Sequence, residues 1–234
     1  MALPKLNTPE YELELPSTGG KIKYRPFLVK EQKLLMMAQE SENEDQIANT
    51  ITSIIDSCTD GQLNAKQLPI FDVEYIFLQL RSKSVGETSN IKVLCPDDGK
   101  TYVEKIIKLD EIDVHMTADH TNIVELTDKI KILMKYPVMG DMKGIDISAG
   151  LDGTFGLISK CVHEIHDGDT VHSRIDMSDK ELDEFIDTLT SNQFEQVMNF
   201  FNTMPKLRHS ISVTNPKTKK KGEVMLEGLQ SFLG

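Results

Sequence analysis

Two stretches that lie far apart in the sequence repeat the same hairpin pattern. Ile91-Lys-Val-Leu-Cys-Pro96 aligns with Ile211-Ser-Val-Thr-Asn-Pro216, so that isoleucine, valine and proline recur at matching places. A charged turn and a returning apolar strand follow each copy, which is the pattern of a β-hairpin. The repeat predicts two similar hairpins that pack together across the intervening sequence and form a discontinuous β subdomain.

The first third of the chain combines a hairpin with helices. Alternating residues at 11–15 and 21–25 flank a turn at 16–20 and predict two paired strands. Helical spacing predicts three helices, at residues 30–39, at residues 44–59 and from Pro69 onward. Their predicted inward residues are Leu34, Leu35 and Met37 in the first helix, Ile47, Ile51, Ile54, Ile55 and Cys58 in the second, and Val73, Ile76, Phe77 and Leu80 in the third.

The rest of the chain alternates between strand and helix signals. Strands are predicted at residues 90–94, 101–109 and 129–136. A helix from residue 151 is predicted to turn one face inward, formed by Leu157, Ile158, Cys161 and Ile165, and to end in the loop at residues 166–169. Ser178 with Glu181, and Thr190 with Gln193, have the spacing of capping boxes and predict two further amphipathic helices.

These elements together predict an α+β fold. Residues 1–85 are predicted to form an N-terminal β-hairpin with helices, and residues 86–140 a β-rich centre. Residues 141–204 are predicted to form a helical segment that contains the helical pair, and residues 205–234 are predicted to form a C-terminal β-hairpin. Because the last hairpin is expected to pack with the β-rich centre, the four segments correspond to one or two compact domains.

Charge and composition exclude several classes of partner. The net charge of −11 repels nucleic acid and anionic lipid. No stretch approaches the roughly 20 apolar residues that a membrane span needs, and residues 1–5 do not resemble the start of a secretory leader. Three scattered cysteines favour a reducing compartment over a disulfide framework. We therefore expect an intracellular protein without membrane or nucleic-acid partners.

A metal-dependent enzyme is the main alternative among catalytic functions. Cys161, His163, His166 and Asp169 are metal-ligand residue types that lie close together in sequence. Their irregular spacing differs from that of a dependable zinc signature, so a polar turn at the end of a helix is the other interpretation. We expect no metal at this cluster, and stoichiometric metal in the purified protein would favour the enzyme.

Two further motifs have competing interpretations. Cys95-Pro-Asp-Asp98 resembles half of a zinc knuckle, but Asn215 and Thr218 stand at the equivalent places of the other hairpin, so hydrogen bonds are expected to hold both turns. The basic run at residues 217–221 could contact phosphates, or could be a solvated turn. The sequence has neither a Gly-x-Ser-x-Gly elbow nor a glycine-rich phosphate loop, so we expect no catalytic residues and no cofactor.

Residues 3–9, 11–13, 15–19 and 23–31 form a specific N-terminal pattern, with support from Cys95-Pro96, from residues 134–137 and from residues 226–232. This pattern resembles the baseplate hub and hub-assembly family of T4-like contractile-tailed bacteriophages. Members of this family can carry cysteine pairs in the hairpins, and this chain departs from that pattern at Asp98, Asn215 and Thr218. The departure places any metal-stabilised hairpin in doubt.

This resemblance implies a late viral protein that joins the baseplate hub or assists its assembly, acting as structural protein or chaperone through contacts with other hub and tail proteins. It would act in the host cytoplasm during assembly, with a place in the finished virion and self-association both left open. The candidate contact residues are Pro4, Lys5, Leu6, Pro9, Tyr24, Pro26, Phe27, Met139, Met142, Leu229 and Phe232.

Overall fold

A computed structural model of the protein describes residues 7–142 and 151–233. Within those residues, helices accompany small antiparallel sheets, so the predicted α+β class is confirmed. The helices are α1 (Val29–Glu40), α2 (Glu44–Cys58), α3 (Ile70–Ser84), α4 (Leu151–Cys161), α5 (Asp179–Asp187), α6 (Ser191–Thr203) and α7 (Gln230–Leu233). In the described ranges, no helix is long and apolar enough to cross a membrane.

The strands are short, and neighbouring strands in each sheet are antiparallel. In chain order they are β1 (Tyr11–Glu14), β2 (Lys21–Tyr24), β3 (Thr88–Leu94), β4 (Tyr102–Lys108), β5 (Asp113–His115), β6 (Ile123–Glu125), β7 (Ile130–Met134), β8 (Val162–Asp167), β9 (Thr170–Ser173), β10 (Lys206–Thr214) and β11 (Lys221–Glu227). The N-terminal, central and C-terminal hairpins of the sequence analysis correspond to β1–β2, β3–β4 and β10–β11.

The chain divides into two compact units. One unit comprises Met1–His115 together with Lys206–Gly234, and the other is the continuous segment Met116–Pro205. In the first unit, helix α3 buries Val73, Ile76, Phe77 and Leu80 as predicted. Helix α2 packs its isoleucines and Cys58 inward as predicted, although Ile47 is only half-buried. The short helix α7 packs on β3 and buries Phe232.

The second unit packs helices on a four-stranded sheet of order β6-β7-β8-β9. Its core joins the sheet residues Ile132 and Ile165 to Leu182 of α5 and Phe200 of α6. Both predicted capping boxes are present: Ser178 Oγ accepts the Glu181 N–H at the start of α5, and Thr190 Oγ1 accepts the Gln193 N–H at the start of α6. These caps fix where both helices begin.

Two predictions about helix faces are wrong. In α1 the buried side chains are Glu31 and Ala38, whereas Leu34 and Met37 are exposed and Leu35 is half-buried. Helix α4 ends at Cys161, and Ile165 lies in strand β8, where it pairs with Ile132 of β7. The Gly168-Asp169 turn closes a hairpin between β8 and β9, and Gly168 supplies its positive φ of 58°.

Candidate partner-binding surfaces

The turns of the two repeated hairpins are joined by hydrogen bonds. The Asn215 side-chain amide donates to Asp97 Oδ1 and to Asp98 Oδ2, each at 2.9 Å, and Thr218 Oγ1 donates to Asp97 Oδ2. The turns also approach closely at Gly222, where an added Cβ would lie 2.7 Å from Pro96 Cγ. The hydrogen-bonded linkage expected from Asn215 and Thr218 is thus formed. We call residues 95–99 with 215–219 the paired turns.

Each turn is also closed by its own backbone. Gly99 N–H donates to the Cys95 carbonyl at 3.0 Å, and Lys219 N–H donates to the Asn215 carbonyl at 2.9 Å. Gly99 and Lys219 both have a left-handed φ, of 60° and 63°. Glycine adopts this conformation readily and lysine does not, and at Lys219 the conformation is accompanied by the backbone hydrogen bond to the Asn215 carbonyl.

The carboxylates of the paired turns are stabilised in their charged form. Asp98 accepts hydrogen bonds from the Thr101 hydroxyl and from the N–H groups of Thr101 and Lys100, and these bonds hold the pKa of Asp98 far below its usual range. Bonds from Thr218 and Asn215 lower the pKa of Asp97 in the same way. Hydrogen bonding to the charged form is the physical cause in both cases.

An ion pair joins the N-terminal hairpin to helix α1. Arg25 Nη2 lies 3.0 Å from Glu31 Oε1 and also donates to the carbonyl of Ser57 at 3.3 Å. Glu31 Oε2 accepts the Leu28 N–H at 2.8 Å. Burial raises the pKa of Glu31, but the hydrogen bonds from Leu28 and Arg25 outweigh it and leave that pKa below its ordinary value. Arg25, Leu28 and Glu31, which belong to the segment of the N-terminal resemblance, therefore serve the packing of this unit.

Helix α1 presents an apolar surface that the sequence analysis did not find. Val29, Met36 and Met37 are 68%, 53% and 64% exposed. Positions 29, 36 and 37 share one helix face because seven or eight residues make about two turns. Leu34, also exposed, lines a shallow pocket with polar residues of α2. We call Val29, Met36 and Met37 the α1 surface.

The predicted contact residues differ in exposure. Pro4, Lys5 and Leu6 lie outside the described residues, while Pro9 is exposed. Four others are buried in the core, and three are half-buried. The buried residues are Tyr24, Phe27, Leu229 and Phe232, and the half-buried ones are Pro26, Met139 and Met142. Among the members that the structure describes, the exposed and half-buried ones are accessible to a partner in this conformation.

The alternative metal site is not formed. Cys161 is buried at the end of α4, and burial raises the pKa of its thiol to about 12. His163 is exposed, while His166 Nε2 lies 2.8 Å from Glu164 Oε2. Across residues 7–142 and 151–233, no three histidine, cysteine, aspartate or glutamate side chains are placed to hold a metal ion. The Cys161, His163, His166 and Asp169 interpretation is therefore wrong for this conformation.

The basic run caps the C-terminal hairpin. Lys217, Lys219, Lys220 and Lys221 are all exposed, and the Lys217 N–H donates to Asn215 Oδ1 at 2.8 Å. The backbone of the run thus belongs to the paired turns.

Comparison with known proteins gives one result. A family model described as T4 bacteriophage base plate protein matches residues 8–234. No curated protein and no solved structure matches the chain. The match extends through both compact units and includes both repeated hairpins.

Proposed function

The chain belongs to the T4 bacteriophage base plate protein family, and we propose that it serves the central hub of the baseplate, as a hub subunit or as a chaperone that assembles the hub. Membership implies a place in the phage tail and contacts with other tail proteins. The proposed activity is binding, without catalysis. It takes place in the host cytoplasm while the contractile tail is built.

The observation that carries this proposal is the α1 surface. Methionine side chains are flexible and polarisable, and they adapt to the shape of a partner. Three large apolar side chains on one face of a helix of about three turns suit the groove of another protein or a second helix. The Arg25–Glu31 ion pair fixes α1 against the hairpin and α2, so this surface is presented without a large ordering cost.

Further contacts are proposed at the ends of the chain and in the second unit. In this proposal the N-terminal residues Pro4, Lys5, Leu6 and Pro9 form a docking arm, because the two prolines in this sequence disfavour a helix. Met139 and Met142 are half-buried in a short helical turn and supply a second apolar contact.

Quantitative mass spectrometry of purified tails, beside assembly intermediates from infected cells, tests the proposal. The chain is counted relative to a tube protein. A fixed ratio in finished tails identifies a hub subunit, whereas presence in intermediates alone identifies an assembly factor. Absence from both samples would contradict the hub proposal.

A further inference from the structure

A pocket of about 430 Å³ lies between strand β9 and helix α5 in the second unit. Its apolar lining comes from both the sheet and the helical side, with Ile165 buried and Ile130, Met177 and Phe185 half-buried. A space of this volume falls within the range of pockets that bind ligands or side chains, roughly 300–1,000 Å³.

The exposed part of the lining is acidic. Asp167, Asp176 and Glu181 contribute three carboxyl groups, and the lining residues that the structure describes include neither lysine nor arginine. The neighbouring Arg174 is already engaged, since it forms an ion pair with Asp179 and donates to the Met177 carbonyl at 2.8 Å. The described lining also includes His172, and with this histidine counted as neutral the three carboxylates give the lining a formal charge of −3.

One of these carboxylates is fixed in place. Glu181 Oε2 accepts hydrogen bonds from Ser178 N at 2.9 Å and from Ser178 Oγ at 2.7 Å, as part of the α5 cap. These hydrogen bonds lower the pKa of Glu181, which keeps it charged at neutral pH. A cation that approaches the pocket meets at least this one charge in a defined position.

Unpaired backbone and exposed apolar side chains adjoin the pocket. Strand β9 is an edge of the four-stranded sheet, and no described strand pairs with its outer side. Val171 of β9 lines the pocket and is more than half exposed, while Ile175, next to the lining residue Asp176, is 89% exposed. A free strand edge beside a side-chain pocket is the arrangement that binds an extended peptide by adding a strand.

We propose that β9 and this pocket bind an extended segment of another tail protein in which an apolar side chain is flanked by lysine or arginine. The apolar side chain enters between Ile165 and Phe185, and the flanking cations face Asp167 and Asp176. Complementary charge selects such a segment over an acidic one. That the partner is a tail protein rests on the proposed function, whereas the chemistry of the segment rests on the pocket alone.

A peptide array tests this proposal with the full-length purified chain. The array carries overlapping peptides from all structural proteins of the same phage, including this chain. The pocket variant combines Asp167→Lys with Asp176→Lys. The matched control combines Asp128→Lys with Asp187→Lys, which changes the net charge equally at exposed carboxyls that do not line the pocket.

We expect the wild-type chain to bind peptides with Lys or Arg within two positions of Ile, Leu, Val or Met. Binding should fall at least tenfold in the pocket variant and stay within twofold in the control. A second variant, which combines Asp167→Asn with Asp176→Asn, should lose less peptide binding than the lysine variant. It tests the same carboxylates with a smaller change, in case the lysine variant misfolds.

Three results would overturn the pocket proposal: equal binding by the pocket variant and the control, no peptide bound by the wild type, or binding only to peptides of this chain, which would indicate self-association. The proposed function is tested by a separate measurement, the abundance of the chain in purified tails. A chain present in tails whose pocket variant binds normally would therefore leave the hub proposal intact.

Discussion

The side-chain amide of Asn215 donates a hydrogen bond to Asp98 Oδ2 at 2.9 Å across 117 positions of sequence. Asn215 is buried, so its amide cannot exchange this bond for one with water. The bond joins a turn of the central hairpin to the turn of the C-terminal hairpin. Together with the bonds to Asp97, it links the two turns directly through side chains.

Replacement of Asn215 should destabilise the unit that contains the paired turns. We expect Asn215→Ala to lower the free energy of unfolding by about 1–3 kcal/mol, because Asp97 and Asp98 lose a shared donor. Ser212→Ala, at an exposed position of β10, should change it by no more than about 0.5 kcal/mol. Urea denaturation at pH 7 measures both. Equal effects of the two substitutions would show that the linkage contributes no stability.

The paired turns should also make stability depend on pH. The pKa of Asp98 is lower in the folded chain than in the unfolded chain, where it is about 3.9. The stabilisation is therefore complete above about pH 4 and is lost as the pH falls through the folded value. We expect Asp98→Asn to be less stable than the wild type at pH 7, with a difference that shrinks as the pH falls below about 4.

Urea denaturation between pH 7 and pH 2 measures the difference in unfolding free energy between the wild type and Asp98→Asn. Asp128→Asn removes an exposed carboxyl from the turn before β7 and serves as the control. If the difference in unfolding free energy between the wild type and Asp98→Asn stays constant from pH 7 to pH 2, the lowered pKa of Asp98 is not its cause.

The Arg25–Glu31 ion pair should be costly to break from either side. Arg25→Met leaves the buried carboxylate of Glu31 without its cation, and we expect a loss of about 3 kcal/mol in unfolding free energy. Glu31→Leu should cost a similar amount, and the double variant should recover part of the loss. Lys30→Met removes only an exposed partner of Glu31 and should cost at most about 1 kcal/mol. If the double variant loses as much unfolding free energy as Arg25→Met and Glu31→Leu lose together, Arg25 and Glu31 do not stabilise each other.

The three cysteines should react slowly in the native protein. All three are buried, and burial raises the pKa of Cys58 to about 11 and that of Cys161 to about 12. Since the thiolate is the reactive form, a thiol reagent at pH 8 should label them slowly in buffer and rapidly in denaturant. Rapid labelling of Cys161 in buffer would show that its surroundings open in the native protein.

Local signals in the sequence predicted those elements whose ends are set by nearby residues. Ser178 and Glu181 satisfy each other within one helical turn, so the start of α5 could be predicted from four residues. The sequence predicts the two repeated hairpins because each hairpin carries its own turn residues. Their linkage was anticipated from Asn215 and Thr218, which replace possible metal ligands by hydrogen-bonding groups.

Burial that depends on distant residues could not be predicted in this way. Leu34-Leu35-Met36-Met37 is apolar on every face, so its sequence carries no period. The orientation of α1 instead follows from Glu31, whose partner Arg25 comes from the hairpin before it. Ile165 fits the spacing of a helix, but its pairing with Ile132 in β7 decides for a strand. The acidic pocket likewise needs β7, β8, β9 and α5 together.

The α1 surface should be required for function and dispensable for folding. Met36→Ser combined with Met37→Glu changes exposed side chains, so we expect the free energy of unfolding to stay within about 1 kcal/mol. Incorporation of the chain into tails or intermediates should fall at least tenfold, because a charge placed in an apolar contact must be desolvated without a partner. Gln39→Glu adds the same charge at an exposed polar position of α1 and should incorporate normally.

Mass spectrometry of tails from cells that express each variant measures this incorporation, with chemical denaturation of the purified variants as the check on folding. If the methionine variant folds and incorporates like Gln39→Glu, the partner binds elsewhere, and the β9 pocket becomes the first surface to test. If both variants are lost from tails, added negative charge on α1 is itself the cause. Loss confined to the methionine variant assigns the contact to Met36 and Met37.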